Sequence, residues 1–285
     1  MNNDIIEEIL EYKPKKLLKS ATKYDVYITL TSSPERLDKV ISVLNLLDIR
    51  YVKEIHINLP KFYRNDKKLV YKQSHIDNLK KSNPKIKIFR LKDDLGPITK
   101  ILPTIERIKK NNSLIISIDD DIAYPFDMIT DLINNSAKYP NNIICMSGFI
   151  FGGRNMKKSN DSEYYEQADW DRYLWPVKKY PKFPYIDVLE GFSGVCYNRS
   201  LINDQMILYI KYLNSLCKLS DDLTISYMFS YFNIPIRSLG RHSEMIPLPY
   251  GEEGESLHGG GDDDIDMNFI KYGECLKIIN VGYNK

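Results

Sequence analysis

The chain is poor in cysteine, histidine and tryptophan, with four, four and two among 285 residues. Cys145, Cys196, Cys217 and Cys275 lie far apart. That spacing offers neither a paired zinc site nor a disulfide scaffold. Cys145 and Cys196 stand among apolar neighbours and read as buried thiols in a reducing compartment. No apolar run approaches the ~20 residues of a membrane-spanning helix. The opening Met1-Asn2-Asn3-Asp4 lacks the basic-then-apolar order of a signal peptide, so a cytoplasmic protein is expected. Excess charge is lacking too: 40 basic residues against 38 acidic ones leave +2. That balance gives no reason to expect nucleic acid or a membrane surface as partner. Repeats and low-complexity segments are absent, and nothing points to a particular oligomeric state.

What is present suits a soluble globular protein, 43% hydrophobic and 27% charged. Strand and helix patterns alternate over the first ~150 residues. Strands are expected at about 25–30, 52–59, 85–91, 113–118 and 142–146. A peripheral helix is expected over 4–18. Ser32-Ser33-Pro34-Glu35 supplies an N-cap hydroxyl, a first-turn proline and an acid for a second helix. Further helices follow Gly96-Pro97 and Pro125. The order predicts an α/β fold, a single Rossmann-like domain with an open, mostly parallel sheet flanked by helices. Periodicity then gives way to an aromatic-rich stretch over 152–185 and a glycine-rich one, Glu190-Gly191-Phe192-Ser193-Gly194. Helices at about 201–216 and 221–232 and a strand at 234–239 complete the pattern.

The sharpest chemical signal is Asp119-Asp120-Asp121, directly after the apolar run Ser113 to Ile118. Ligands of open α/β sheets bind beyond the carboxyl ends of the strands, where these acids fall. Three adjacent carboxylates need a compensating cation, a set of donors or ample water. Asp119 and Asp121 are placed to reach one centre while Asp120 points elsewhere. Magnesium or manganese, held by one or two carboxylates and by substrate phosphates, fits such a supply. The alternative is a solvated acidic turn. A second run, Asp262-Asp263-Asp264, follows three glycines without a leading strand and reads as first-turn helix acids.

Ile118-Asp119-Asp120-Asp121-Ile122-Ala123-Tyr124-Pro125 resembles the metal-binding Asp-x-Asp turn of GT-A fold nucleotide-sugar glycosyltransferases of the family 2-like type. Tyr27 to Leu37 is similar to the first strand-to-helix segment of that superfamily, whose loop faces the nucleotide. Leu95-Gly96-Pro97-Ile98-Thr99-Lys100 resembles the segment before the metal motif. Ser220-Asp221-Asp222-Leu223-Thr224 is similar to the later acidic pair, usually Glu-Asp, that carries the catalytic base of inverting members. Leu257-His258-Gly259 resembles the C-terminal histidine that completes the metal shell. The resemblance implies a single GT-A-like domain with a nucleotide-sugar half over about 20–150. An acceptor and catalytic half over about 151–260 and an extension over 261–285 follow.

It implies Thr29, Thr31, Arg36, Asp94, Lys100, Asp119 and Asp120 at the nucleotide sugar, a UDP-sugar being favoured. Asp119, Asp121 and His258 are implied at the metal, and Asp222 with Asp221 at the chemical step. The N-terminal end of a helix is expected to keep Asp222 ionised at neutral pH. The acceptor would be a glycan, a glycoprotein or a small hydroxyl compound. Trp170 and Trp175, in the aromatic stretch, are candidates for stacking on it, with Glu190 and Gly191 beside them. His56 and His75 read as structural or solvated, and His242 has no assigned role. Two rivals stand: a metal-dependent nucleotidyltransferase, which usually carries a glycine-rich basic phosphate loop, and a non-catalytic sugar-binding protein.

Overall fold

The structure, a computed structural model, describes residues 15–149, 184–212 and 220–249. Strands β1 (Asp25–Leu30), β2 (Glu54–Pro60), β3 (Ile86–Leu91) and β4 (Ser113–Ser117) come first. Then follow β5 (Ile122–Ala123), β6 (Ile143–Cys145), β7 (Gly148–Phe149), β8 (Tyr185–Ile186), β9 (Val188–Leu189), β10 (Val195–Asn198), β11 (Ile236–Ser238) and β12 (Ile246–Pro247). The helices are α1 (Val40–Asn45), α2 (Gln73–Ser82), α3 (Leu102–Arg107), α4 (Met128–Lys138), α5 (Asp204–Tyr212) and α6 (Asp221–Tyr231).

Eight strands form one sheet in the order β3-β2-β1-β4-β10-β6-β11-β8. Strands β1 to β4 pair in parallel, and β11 is parallel to β6. The sheet is mixed, because β10 lies antiparallel between β4 and β6 and β8 is antiparallel at the edge. β1, β4, β6 and β11 therefore all end on the edge where β10 begins. Two short antiparallel ribbons, β5–β12 and β7–β9, sit apart.

Both faces are covered. Val26, Ile28, Leu30 and Ile116 pack beneath Leu37, Val40, Val43, Met128 and Leu132. On the other face Ile115, Val195 and Tyr197 meet Ile98, Ile105, Ile225 and Phe229. Burial on both faces is why β1 and β4 read as continuous apolar runs. Helix α6 is buried nearly all round, which accounts for the absence of a clean stripe in its sequence. Among the described residues, no helix is long and apolar enough to cross a membrane.

Several elements are shorter than expected. The helix after Pro34 is split into a 3-10 turn, Leu37–Lys39, and α1. The helix after Gly96 is split likewise into a 3-10 turn, Gly96–Lys100, and α3, the second with Pro103 in its first turn. Residues 15–18 are not helical, and the rest of the helix expected over 4–18 lies outside the described residues. His56 is buried against Tyr27 and Phe89 and pairs with Glu54, a structural role.

A buried polar knot ties β1, β2 and α3 together. Asn58 Nδ2 lies 3.1 Å from Thr29 Oγ1, 3.2 Å from the Lys100 carbonyl and 3.0 Å from Thr104 Oγ1. Arg107 donates to Asn58 Oδ1 and stacks on the Phe89 ring at 3.6 Å. Leaving a buried polar group unpaired costs about 1–3 kcal/mol. Asn58→Leu orphans several at once and is expected to lower stability by at least about 3 kcal/mol in urea unfolding. A loss under about 0.5 kcal/mol would show the knot to be dispensable.

Candidate active site at the carboxyl edge of the sheet

Strand β4 delivers Asp119-Asp120-Asp121 to the sheet edge, and two contacts fix the turn. Tyr124 accepts the Asp119 N–H at 2.8 Å and donates to the Phe192 carbonyl at 2.7 Å. The Asp121 carbonyl accepts the Leu248 N–H at 2.7 Å, next to the β5–β12 ribbon. The three carboxylates part company. Asp120 is 4% exposed and takes the Ser32 hydroxyl at 2.5 Å and Arg36 at 3.0 Å. Asp119 and Asp121 keep 28% and 23% of their side chains exposed. Arg36 also holds Asp121, at 2.6 Å. Burial, partly offset by Arg36 and Ser32, raises the Asp120 pKa to about 6. Burial and the neighbouring Asp119 raise that of Asp121.

Lys100 joins this turn to α6. Its ammonium is buried, 2.9 Å from Asp119 Oδ1 and 3.0 Å from Asp221 Oδ2. Burial disfavours the charge, but Asp119, Asp221 and Asp222 outweigh it, so the pKa stands well above that of a free lysine. Asp222 accepts the Gly191 N–H at 2.9 Å and keeps part of its surface open. A Cβ at Gly191 would lie 2.4 Å from Asp222 Oδ1 and 3.0 Å from Lys100 Nζ, so glycine is required for this approach.

Asp222 departs from expectation. Burial first, and the Asp221 charge second, raise its pKa well above the ordinary carboxylate range, despite Lys100 and the Gly191 N–H. The helix end does not dominate, and Ser220 makes no side-chain cap there. Ser33 does cap its turn, accepting the Arg36 N–H at 3.3 Å.

A third group lies along the same edge. Glu190 Oε2 accepts the Ser147 hydroxyl at 2.5 Å and lies 3.1 Å from His242 Nδ1. The Phe192 ring stands edge-on to His242 at 5.6 Å. The hydrogen bond to Glu190 outweighs burial and raises the His242 pKa. Sequence reasoning found no role for His242, because residues 147, 190 and 242 meet only through sheet order.

Other expected nucleotide contacts are engaged elsewhere. Thr29 is fully buried, its hydroxyl shared with Thr104 and the Lys100 carbonyl, since the end of β1 points into the polar knot. Thr31 donates to the Asn58 carbonyl at 2.8 Å. Asp94 closes its own turn, accepting the Gly96 N–H at 2.9 Å and the Thr99 hydroxyl at 3.2 Å. Lys100 is enclosed by carboxylates and is not presented to solvent. His258, Trp170 and Trp175 lie outside the described residues.

Among the described residues, no group of three or more His, Cys, Asp or Glu is arranged to hold a metal. The donor set nevertheless suits one shared with a phosphate. Five carboxylates, at 119, 120, 121, 221 and 222, face two cations, Arg36 and Lys100. Within the turn, Asp119 and Asp121 are the two with surface to spare, and a hard divalent ion is commonly held by two carboxylates and substrate oxygens.

No family model matches the chain, and no curated protein sequence does. Solved structures resemble it at low identity. A 4-diphosphocytidyl-2C-methyl-D-erythritol synthase from Anaerococcus prevotii is 13% identical with TM-score 0.49, covering 83% of this chain and 95% of that one. TarS 1–349 from S. aureus is 11% identical with TM-score 0.48, over 79% of this chain and 60% of that one. The mannosyltransferase PcManGT from Pyrobaculum calidifontis, in complex with GDP-Man and Mn2+, is 9% identical with TM-score 0.44. That match covers 81% of this chain and 59% of the mannosyltransferase, so the chain spans about three fifths of the latter two proteins. With every score below 0.5, none of these likenesses bears on function.

Lys100→Met removes the cation that neutralises Asp119, Asp221 and Asp222. Without it the already raised pKa of Asp222 rises further, so stability is retained at acid pH and lost as pH climbs through that pKa. Breaking a buried pair from one side costs about 3–5 kcal/mol. Urea unfolding should show a loss of that order at pH 7.5 and a clearly smaller one at pH 4.5. A loss independent of pH would assign Lys100 a packing role.

Proposed function

We propose that the chain is a metal-dependent glycosyltransferase that moves a sugar from a nucleotide-diphosphate donor, a UDP-sugar favoured, to an acceptor hydroxyl with inversion. The supporting observation is the Lys100 bridge. It draws Asp119, at the end of β4, and the Asp221-Asp222 pair, a hundred residues later, into one charged site. A solvated acidic turn would need neither the buried lysine nor the second acid pair. The domain reading follows the same division, with 20–150 on the donor side, 151–260 on the acceptor side and 261–285 as an extension.

Asp119 and Asp121, with His258, would hold magnesium or manganese. When bound, that ion supplies positive charge to the diphosphate leaving group. Arg36, half-open to solvent beside Asp121, adds charge on the same side. Asp120 holds Arg36 in place from below. Lys100 bridges Asp119 and Asp221.

Asp222 is the proton acceptor. The acceptor hydroxyl passes its proton to the Asp222 carboxylate as its oxygen bonds to the anomeric carbon. The bond from that carbon to the diphosphate oxygen breaks, and the nucleoside diphosphate leaves. A raised pKa makes Asp222 a stronger base than an ordinary carboxylate, provided that it is ionised. The acceptor is a glycan, a glycoprotein or a small hydroxyl compound, with Trp170 and Trp175 stacking on it.

Asp119→Asn and Asp121→Asn should each weaken donor binding and abolish its response to manganese, as read by calorimetry with UDP-sugars. Metal-dependent turnover unchanged in both variants would overturn the assignment. Asp222→Asn should lower kcat by roughly 10²–10⁴-fold at nearly unchanged donor affinity. The acid limb of the wild-type kcat/KM profile should lie above the ordinary carboxylate range, in keeping with the upward shift of Asp222. A normal rate for Asp222→Asn, or a product of retained anomeric configuration, would exclude this mechanism.

A further inference from the structure

We propose that Glu190, His242 and Ser147 form a subsite for a second hydroxyl of the acceptor, so that the acceptor is a saccharide and not an isolated alcohol. The inference rests on the reading of Asp222 as the base and names the substrate class on that side of the site.

Glu190 and Asp222 flank a single peptide unit. The Gly191 N–H binds Asp222, and Glu190 is the residue before it. The Glu190 group and the Asp222 carboxylate are thus joined through this one short link. Glu190 uses Oε2 for Ser147 and His242. Its Oε1 has no hydrogen-bond partner among the described residues, nor has His242 Nε2. With Nδ1–H directed at Glu190, Nε2 accepts from a hydroxyl when the ring is neutral and donates to one when it is protonated, and the imidazole is 39% exposed. A carboxylate oxygen and a ring nitrogen are thereby offered to one hydroxyl, which can both donate and accept. The part-exposed Phe192 ring beside them supplies an apolar surface for sugar C–H groups.

All three side chains are carried on pinned loops. Arg241, next to His242, donates to Asp127 at 2.9 Å and also pairs with Asp131 and Glu244. Its N–H binds the Met146 carbonyl at 2.9 Å, and Gly240, at φ 69°, makes the turn before it. The Ser147 N–H is held by Ser193 Oγ at 3.2 Å, and the Glu190 N–H by the Ser147 carbonyl at 3.2 Å. A site fixed before its ligand arrives loses little entropy on binding. Phosphorylated or carboxylated acceptors are disfavoured, because Glu190, Asp221 and Asp222 crowd the same edge with like charge.

Calorimetry with methyl β-D-glucopyranoside and methyl β-D-galactopyranoside tests the subsite on the full chain. At least one glycoside should bind, without competition from 1-propanol, and its Kd should rise at least fivefold in both E190Q and H242N. Both substitutions keep side-chain size, and unchanged melting temperatures show that the fold is retained. Binding of neither glycoside, equal Kd in both variants, or competition by 1-propanol overturns the inference. UDP with manganese, titrated into the same wild-type sample, reports on the donor side independently. UDP bound with both glycosides ignored overturns this inference alone, whereas UDP ignored overturns the reading on which it rests.

Discussion

The site depends on one buried ammonium. Lys100 has lost most of its water, a cost of several kcal/mol that only close opposite charge offsets. Asp119 at 2.9 Å and Asp221 at 3.0 Å supply that charge from opposite sides. The lysine is held from behind as well, since Thr29 and Asn58 bind its carbonyl within the polar knot. Core packing, the end of β4 and the start of α6 are thereby connected through one residue. Arg36 does the parallel task for Asp120 and Asp121. The two cations let five carboxylates share a small space before any ligand binds.

Charge is only partly balanced by this arrangement, and the imbalance has a direction. In the turn, Asp119 and Asp121 keep surface toward solvent, while Asp120 and Asp221 are spent on protein cations. A further cation is most favourable at the open pair, and a phosphate-bearing ligand is the natural partner of such an ion. On the other side of Lys100, Asp222 and Glu190 offer carboxylate oxygens, and His242 is already paired with Glu190. The two sides of Lys100 thus differ in their chemistry. Phe192 links them, its carbonyl bound by Tyr124 beneath Asp119 and its ring against His242.

Much of this was legible in the sequence where the signal was local. Continuous apolar runs marked β1 and β4, because strands covered on both faces need them. The acids after β4 were legible because strand ends are where such sheets place ligands. Strand β10 was not: Val195 to Asn198 is four residues long, and Gly194, at φ 95°, interrupts the pattern just before it. Its antiparallel insertion makes the sheet mixed. Lys100 resembled a phosphate ligand in sequence, because nothing local reveals that its ammonium is enclosed. The burial of the Thr29 hydroxyl was hidden for a related reason, since strand alternation does not say which hydroxyls the core consumes. The pairing of Glu190 with His242 was invisible because it is made by strand order alone. Asp222 looked like a first-turn helix acid, yet burial and Asp221 set its pKa.

The central claim is that this edge cleaves the bond between a sugar and a nucleoside diphosphate. The most direct measurement incubates the full chain with a panel of nucleotide sugars and of nucleoside triphosphates paired with sugar or alditol phosphates, with and without manganese. Chromatography then identifies the nucleotide released. The expected result is manganese-dependent formation of a nucleoside diphosphate from at least one nucleotide sugar, a UDP-sugar first, with no pyrophosphate from any triphosphate. Pyrophosphate release without cleavage of any nucleotide sugar would identify a nucleotidyl transfer and contradict the account.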